Sequence, residues 1–111
     1  MPASRRTVGS APVFAALGDE NRLRLLARLG VAGPMSISRL AAGSGITRQG
    51  ITKHLRVLAG AGLVRGSRRG KESVWRVDLT RLEEARRSLE LISQQWDQSL
   101  ARLKLLVEGR E

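Results

Sequence analysis

The chain has 111 residues, 41% of them hydrophobic and only 3% aromatic, with no cysteine and a single histidine. That length supports one domain with a modest core, which a partner subunit would help to complete. The missing cysteines exclude disulfides, thiolate metal sites and cysteine nucleophiles, and one histidine excludes a metal site of several imidazoles within one chain.

Net charge is +10, and its distribution matters more than its size. Between Arg39 and Arg76 nine basic residues stand against one acid, Glu72, so this third of the chain carries +8 of the total. A cationic surface so localised is the expected footprint of a phosphate-binding face. The alternative is a basic surface that is merely solvated. No apolar run approaches the ~20 residues needed to span a bilayer. The start, MPASRRTVGSAPVF, lacks the apolar block that follows the arginines of a secretory signal. The expectation is a cytoplasmic protein that does not enter the membrane.

In chain order, residues 1–11 read as a disordered arm, polar and proline-containing, with Arg5 and Arg6 free. From Pro12 the sequence turns helical, since proline suits a first helical turn. Phe14 and Leu17 supply an apolar edge and Gly18 interrupts it. Asp19 should cap a second helix, ENRLRLLARLG, in which Leu23, Leu26 and Leu29 recur at three-residue steps beside Leu25. This reads as core, with Gly30 and Gly33-Pro34 ending it.

The segment from Ser36 to Leu63 predicts a short helix, a tight turn and a second helix. Ser36 or Ser38 can cap the first, and Gly43-Ser44-Gly45 stops it. Thr47 is a fitting N-cap for the second. Ile51, Leu55 and Leu58, with Val57 beside them, form one buried stripe. Arg48, Gln49, Thr52, Lys53 and Arg56 occupy the opposite side. Two helices joined in this way make a helix-turn-helix, whose second helix commonly enters the major groove of DNA.

Gly60-Ala61-Gly62 reads as a flexible exit. Leu63-Val64-Arg65 and Ser73-Val74-Trp75-Arg76-Val77 then read as two strands joined by GSRRGKE. They form a hairpin, or wing, with Arg68, Arg69 and Lys71 at its tip. Asp78 or Thr80 caps the last helix, which runs to about Glu108; with Thr80, Glu83 would complete a capping box. Leu82, Ala85, Leu89, Ile92, Trp96, Leu100, Leu103 and Val107 follow steps of three and four. Close to thirty residues at ~1.5 Å each exceed what so small a core can cover. The seam is therefore expected to meet a second copy or a partner helix.

Three segments, LGDENRLRLLARL, ITRQGITKHLRVLAGAGLV and RRGKESVWRVD, together resemble the ArsR family of winged helix-turn-helix repressors. The resemblance covers about residues 12–80. It rests most on Asp19, Arg22, Leu23 and Leu26, and on Lys53-His54-Leu55 with Leu58 and Ala61-Gly62-Leu63-Val64. The C-terminal QWDQSLARLKLLVE further resembles the metal-independent branch. The resemblance implies a dimer, paired through its first and last helices, that binds operator DNA. Many members sense metals through cysteines or through Asp and His on the last helix. This chain has Asp97 there but no histidine, so metal sensing is not carried over and no cofactor is expected. What releases it from DNA stays open between a small molecule, a protein and a fall in concentration.

The expected architecture is therefore mainly α with a small β-hairpin: an arm over 1–11, a winged helix-turn-helix over 12–78 and a dimerisation helix over 79–108. Thr47, Arg48, Gln49, Thr52, Lys53, His54 and Arg56 are the candidate DNA-contacting residues of the recognition helix. Arg39, Arg68, Arg69 and Lys71 support them from the first helix of the motif and the wing. Among them Arg48 and Gln49 are the best base readers, because arginine pairs bidentately with guanine and glutamine with adenine. Phe14, Leu17, Leu89, Ile92, Trp96, Leu100 and Leu103 are assigned to a homodimer interface. Gly50 sits in a helix at a cost of up to ~1 kcal/mol relative to alanine, explained either by close approach to DNA or by tolerance near a helix start. His54 reads as structural or as a phosphate contact. No catalytic pairing emerges, so an enzyme is not expected. Two other readings remain: a low-specificity chromosome-coating protein and an adaptor whose last helix docks a protein partner.

Overall fold

A computed structural model describes residues 2–109, with side chains from Ser10 onward. The elements are α1 (Pro2–Leu17), α2 (Glu20–Ala32), β1 (Met35–Ser36), α3 (Ile37–Ala41), α4 (Arg48–Gly60), β2 (Val64–Arg69), β3 (Glu72–Val77) and α5 (Leu79–Glu108). Helices α1 to α4 and the start of α5 enclose one core, made of Val13, Ala16, Leu25, Leu26, Leu29, Met35, Leu40, Ile51, Leu55, Leu58, Leu63, Val64 and Ala85. The antiparallel sheet has the order β1-β3-β2. The molecule is elongated, 69 × 35 × 20 Å.

The first helix departs from expectation. It reaches back to Pro2 through the stretch expected to be disordered, and Pro12 lies inside it rather than at its start. Proline there removes one backbone donor, but the helix is pinned around it. Val13 and Ala16 are buried, and the Ser10 hydroxyl lies 3.1 Å from that of Ser88 on α5. Met1 falls outside the described residues.

Asp19 caps α2 as its position requires, accepting from the Arg22 amide at 3.0 Å. Leu25, Leu26 and Leu29 are buried, whereas Leu23 is half exposed. Gly30 does not end this helix; Gly33 does, returning its amide to the Leu29 carbonyl at 2.9 Å. Two arginines of α2 then bind its neighbours. Arg22 Nε donates to the Ala16 carbonyl at the end of α1 (2.6 Å), and Arg28 reaches the carbonyls of Leu40 and Arg39 at the end of α3.

The exit from α4 is fixed, not flexible: Gly60 is the last residue of the helix, and of the three exit residues only Ala61 and Gly62 follow it. The Leu63 amide bonds the Leu58 carbonyl (3.0 Å) and the Gly62 amide bonds that of Ala59 (2.9 Å). With Gly62 at φ +79° this is a Schellman motif, and its two apolar partners, Leu58 and Leu63, are both fully buried. The chain thereby enters β2 in a set direction. β2 and β3 extend farther than expected and close on a two-residue turn, Gly70-Lys71, between the paired Arg69 and Glu72. Gly70 has φ +63° and Lys71 does not share the sign, as a type II′ turn requires. Strand β1 was not visible in the sequence, because two residues show no alternation. It adds to β3 through Met35 opposite Trp75 and Ser36 opposite Val74.

Asp78, not Thr80, caps α5: its carboxylate accepts from the Thr80 amide at 3.0 Å and from Arg65 Nε at 2.6 Å. Glu83 makes no capping box and pairs with Arg86 instead. Only Ala85 of this 30-residue helix is buried. No helix among the described residues is long and apolar enough to cross a membrane.

Candidate nucleic-acid interface

The recognition helix starts at a well-defined point. Thr47 accepts from the Gly50 amide at 3.0 Å, and Ile51, Leu55 and Leu58 are fully buried. Val57, expected beside that stripe, is 43% exposed. With the inner face so fixed, the outer face is fixed too. Arg48, Gln49, Thr52, Lys53 and Arg56 line one open groove of about 440 Å³, with Ile37 of α3 as its apolar edge. The sequence placed these five on one side, and the structure brings them together.

His54 does not join them. At about 100° per residue it falls on the opposite flank of α4 from the groove, and it is half buried. The Asp19 carboxyl is held below the usual carboxylate range chiefly by the Arg22 amide bond, with the charges of Arg22 and His54 adding to it and partial burial opposing it. Asp78 is depressed in the same direction by its bonds from Thr80 and then Arg65.

Gly50 has an explanation inside the chain. A Cβ there would stand 2.8 Å from Ile46 Cγ2 and 3.3 Å from Thr47 Oγ1. The position is small because the turn before α4 folds Ile46 against it. Thr52, which also lines the groove, donates its Oγ1 hydrogen to the Arg48 carbonyl at 2.9 Å and so keeps its lone pairs for accepting.

Ion pairing separates structural cations from free ones. Among the described residues, carboxylates pair with Arg22, Arg24, Arg65, Arg81, Arg86 and Lys104. Arg39, Arg48, Lys53, Arg56, Arg68, Arg69 and Lys71 are exposed and none appears in those pairs. Arg68 and Arg69 lie on the end of β2 and Lys71 in the turn, so the wing carries its charge at the tip. Phe14 and Leu17 are half buried on α1, whereas Leu89, Ile92, Trp96, Leu100 and Leu103 stand 45–64% exposed along α5.

A helix-turn-helix domain model matches residues 17–67. The chain is similar to an ArsR-like transcriptional regulator from Rhodococcus sp. RHA1, at 39% identity over 90% of this chain and 93% of that one, with a TM-score of 0.77. It belongs to the ArsR family of transcriptional regulators. A homodimeric winged helix-turn-helix DNA-binding domain from Mycobacterium bovis matches 88% of this chain and 90% of its own at 25% identity, with a TM-score of 0.62. The AntR antimony-specific transcriptional repressor matches 86% of this chain and 83% of its own at 29% identity, with a TM-score of 0.58. No curated protein sequence matches the chain. This ArsR-family chain is therefore a transcriptional regulator with a DNA-binding winged helix-turn-helix, of a family of regulators and not of enzymes.

Proposed function

We propose that this regulator is a cytoplasmic homodimeric repressor that binds an inverted-repeat operator. One observation carries the reading: the groove of α4 gathers Arg48, Gln49, Thr52, Lys53 and Arg56 on one solvent-facing surface whose cations pair with no carboxylate among the described residues. Arg48 and Gln49, in the first turn, read base edges, and Thr52 offers its lone pairs to an exocyclic amine and its methyl to thymine. Lys53, Arg56 and Arg39 hold phosphates, and Arg68, Arg69 and Lys71 extend that contact from the wing. Phosphate contacts set register and give salt-dependent affinity; base contacts give specificity.

The uncovered seam of α5 joins two copies, as the homodimeric state of the Mycobacterium bovis domain also suggests for a related fold. Two recognition helices would then enter successive major grooves about 34 Å apart. The same seam is what an adaptor would offer a protein partner, and this keeps that second reading in view. Release from DNA follows a small molecule, a protein or a fall in concentration, and no cysteine of this chain takes part, since it has none.

Binding of the purified protein to DNA from its own upstream region, against a scrambled duplex across a salt series, tests the proposal. The expected result is a complex of two chains per duplex that prefers the native sequence and loses about 1–3 kcal/mol on Arg48→Ala. Equal affinity for both duplexes would mean a coating protein. Absence of binding near physiological salt would leave the adaptor.

A further inference from the structure

Helix α3 is a single turn, too short to bond its own C-terminal carbonyls from within. Each is met from elsewhere. The Ser38 carbonyl accepts from the Ala42 amide at 3.1 Å, and that of Ala41 accepts from the Ser44 amide and hydroxyl at 3.1 and 2.8 Å. The two between them, Arg39 and Leu40, are met by a side chain eleven and twelve residues earlier. Arg28 Nη1 donates to the Leu40 carbonyl at 2.9 Å and Nη2 to that of Arg39 at 3.0 Å. After Ala42 the chain turns away through Gly43 and Gly45, at φ +72° and +74°.

We infer that Arg28 is a positioning residue for operator recognition: its guanidinium fork, bonded to two successive carbonyls of α3, fixes the angle at which the helix-turn-helix is held on α2. The inference rests on the DNA-reading proposal above. Arginine suits the task because its planar fork presents parallel donors, where the ammonium of lysine offers a point charge. α3 packs on α4 with Leu40 fully buried in their shared core, so what orients α3 bears on the recognition helix. α2 is tied in turn to α1 by Arg22, 2.6 Å from the Ala16 carbonyl. Arg28 therefore stands between the helices proposed to carry the dimer and the helix proposed to read DNA. In a dimer, the separation of the two reading heads depends on that angle. One base pair of spacing changes the axial distance by only about 3.4 Å, so a loose tie tolerates a spacing that a rigid one rejects.

The test compares the wild-type operator with versions whose half-sites stand one base pair closer and one farther apart, using wild type, Arg28→Gln and Arg28→Lys. Thermal melting and sedimentation identify variants that remain folded dimers. For Arg28→Gln, the preference for the native spacing should fall by about tenfold, with the slope of affinity against salt unchanged. Amide exchange at Ala42 and Ser44 in the free protein should quicken by a similar factor. Arg28→Lys should lie between the two on both readouts. An unchanged spacing preference would overturn the inference. So would a uniform loss on all three duplexes with a salt slope lowered by about 0.9, which would make Arg28 a phosphate contact. If the wild type fails to distinguish operator from scrambled DNA, the DNA-reading proposal itself falls, and quickened exchange would then mark Arg28 only as a structural tie.

Discussion

α4 and α5 are both amphipathic, yet they leave opposite faces uncovered. On α4 the apolar residues Ile51, Leu55 and Leu58 are wholly buried, and arginine, lysine, glutamine and threonine face solvent. On α5 the apolar residues are the exposed ones: Ile92 is 45%, Leu100 56% and Trp96 64% accessible, while arginines on its other faces pair with glutamates along the helix. The uncovered side of a helix names the chemistry of what can sit on it. A cationic face free of carboxylates suits a polyanion. A hydrophobic seam that runs past the core suits another hydrophobic seam.

Changes to the apolar residues of the two helices should therefore have different consequences. Leu55→Ala, in a fully buried site, is expected to cost about 2–5 kcal/mol of folding stability. Urea denaturation would read this as a midpoint below that of wild type at every protein concentration. If the loss were under 1 kcal/mol, roughly that of an exposed site, the inner face of α4 would have been misplaced.

On α5 the largest effect is expected at Trp96, midway along the exposed seam. Trp96→Asp puts a charge where a partner helix would need an apolar anchor. Sedimentation should show a monomer in place of a dimer, with operator affinity lower by about a hundredfold and the melting temperature newly insensitive to concentration. A dimer that survives this change would move the interface off the seam and favour α5 as the dock for a different protein.

How much of this was legible in the sequence follows the same division. The stripe Ile51–Leu55–Leu58, the Thr47 and Asp19 caps and the one-sided basic face all emerged from local spacing, because each depends on residues within a turn or two. Features set by distant contacts did not. The two residues of β1 exist as a strand only because β3 lies beside them. α1 continues past Pro12 with Ser10 seated against Ser88, a pairing across 78 residues that no window contains. His54 sits among the basic residues of α4 in sequence, and only the packing of the helix leaves it half buried and away from the groove.

Gly50 offers a finer test of the inner face. Glycine to alanine inside a helix ordinarily stabilises, by up to ~1 kcal/mol. Here the added Cβ would stand 2.8 Å from Ile46 Cγ2, so Gly50→Ala should instead destabilise, by about 1–2 kcal/mol. Pairing it with Ile46→Ala should recover part of that loss in a double-mutant cycle. Stabilisation by Gly50→Ala alone would mean that the turn before α4 yields easily, and would return DNA approach as the reason for the glycine.

The smallest expected effect concerns pH, and it separates the two helix starts from the groove between them. Asp19 and Asp78 both have carboxyls depressed in the folded state, the first chiefly by the Arg22 amide and the second chiefly by the Thr80 amide and then Arg65. A depressed carboxyl contributes stability that is fully present above its unfolded value and is lost as pH falls through the folded one. Stability should therefore be flat from neutral pH down to about 5 and decline below about 4, in the range where aspartates protonate. Asparagine also caps helices but cannot titrate. Asp19→Asn with Asp78→Asn should then lower stability slightly at neutral pH and flatten the acid limb of the melting curve. An acid limb as steep as wild type would mean that the acid sensitivity does not arise at these two helix caps.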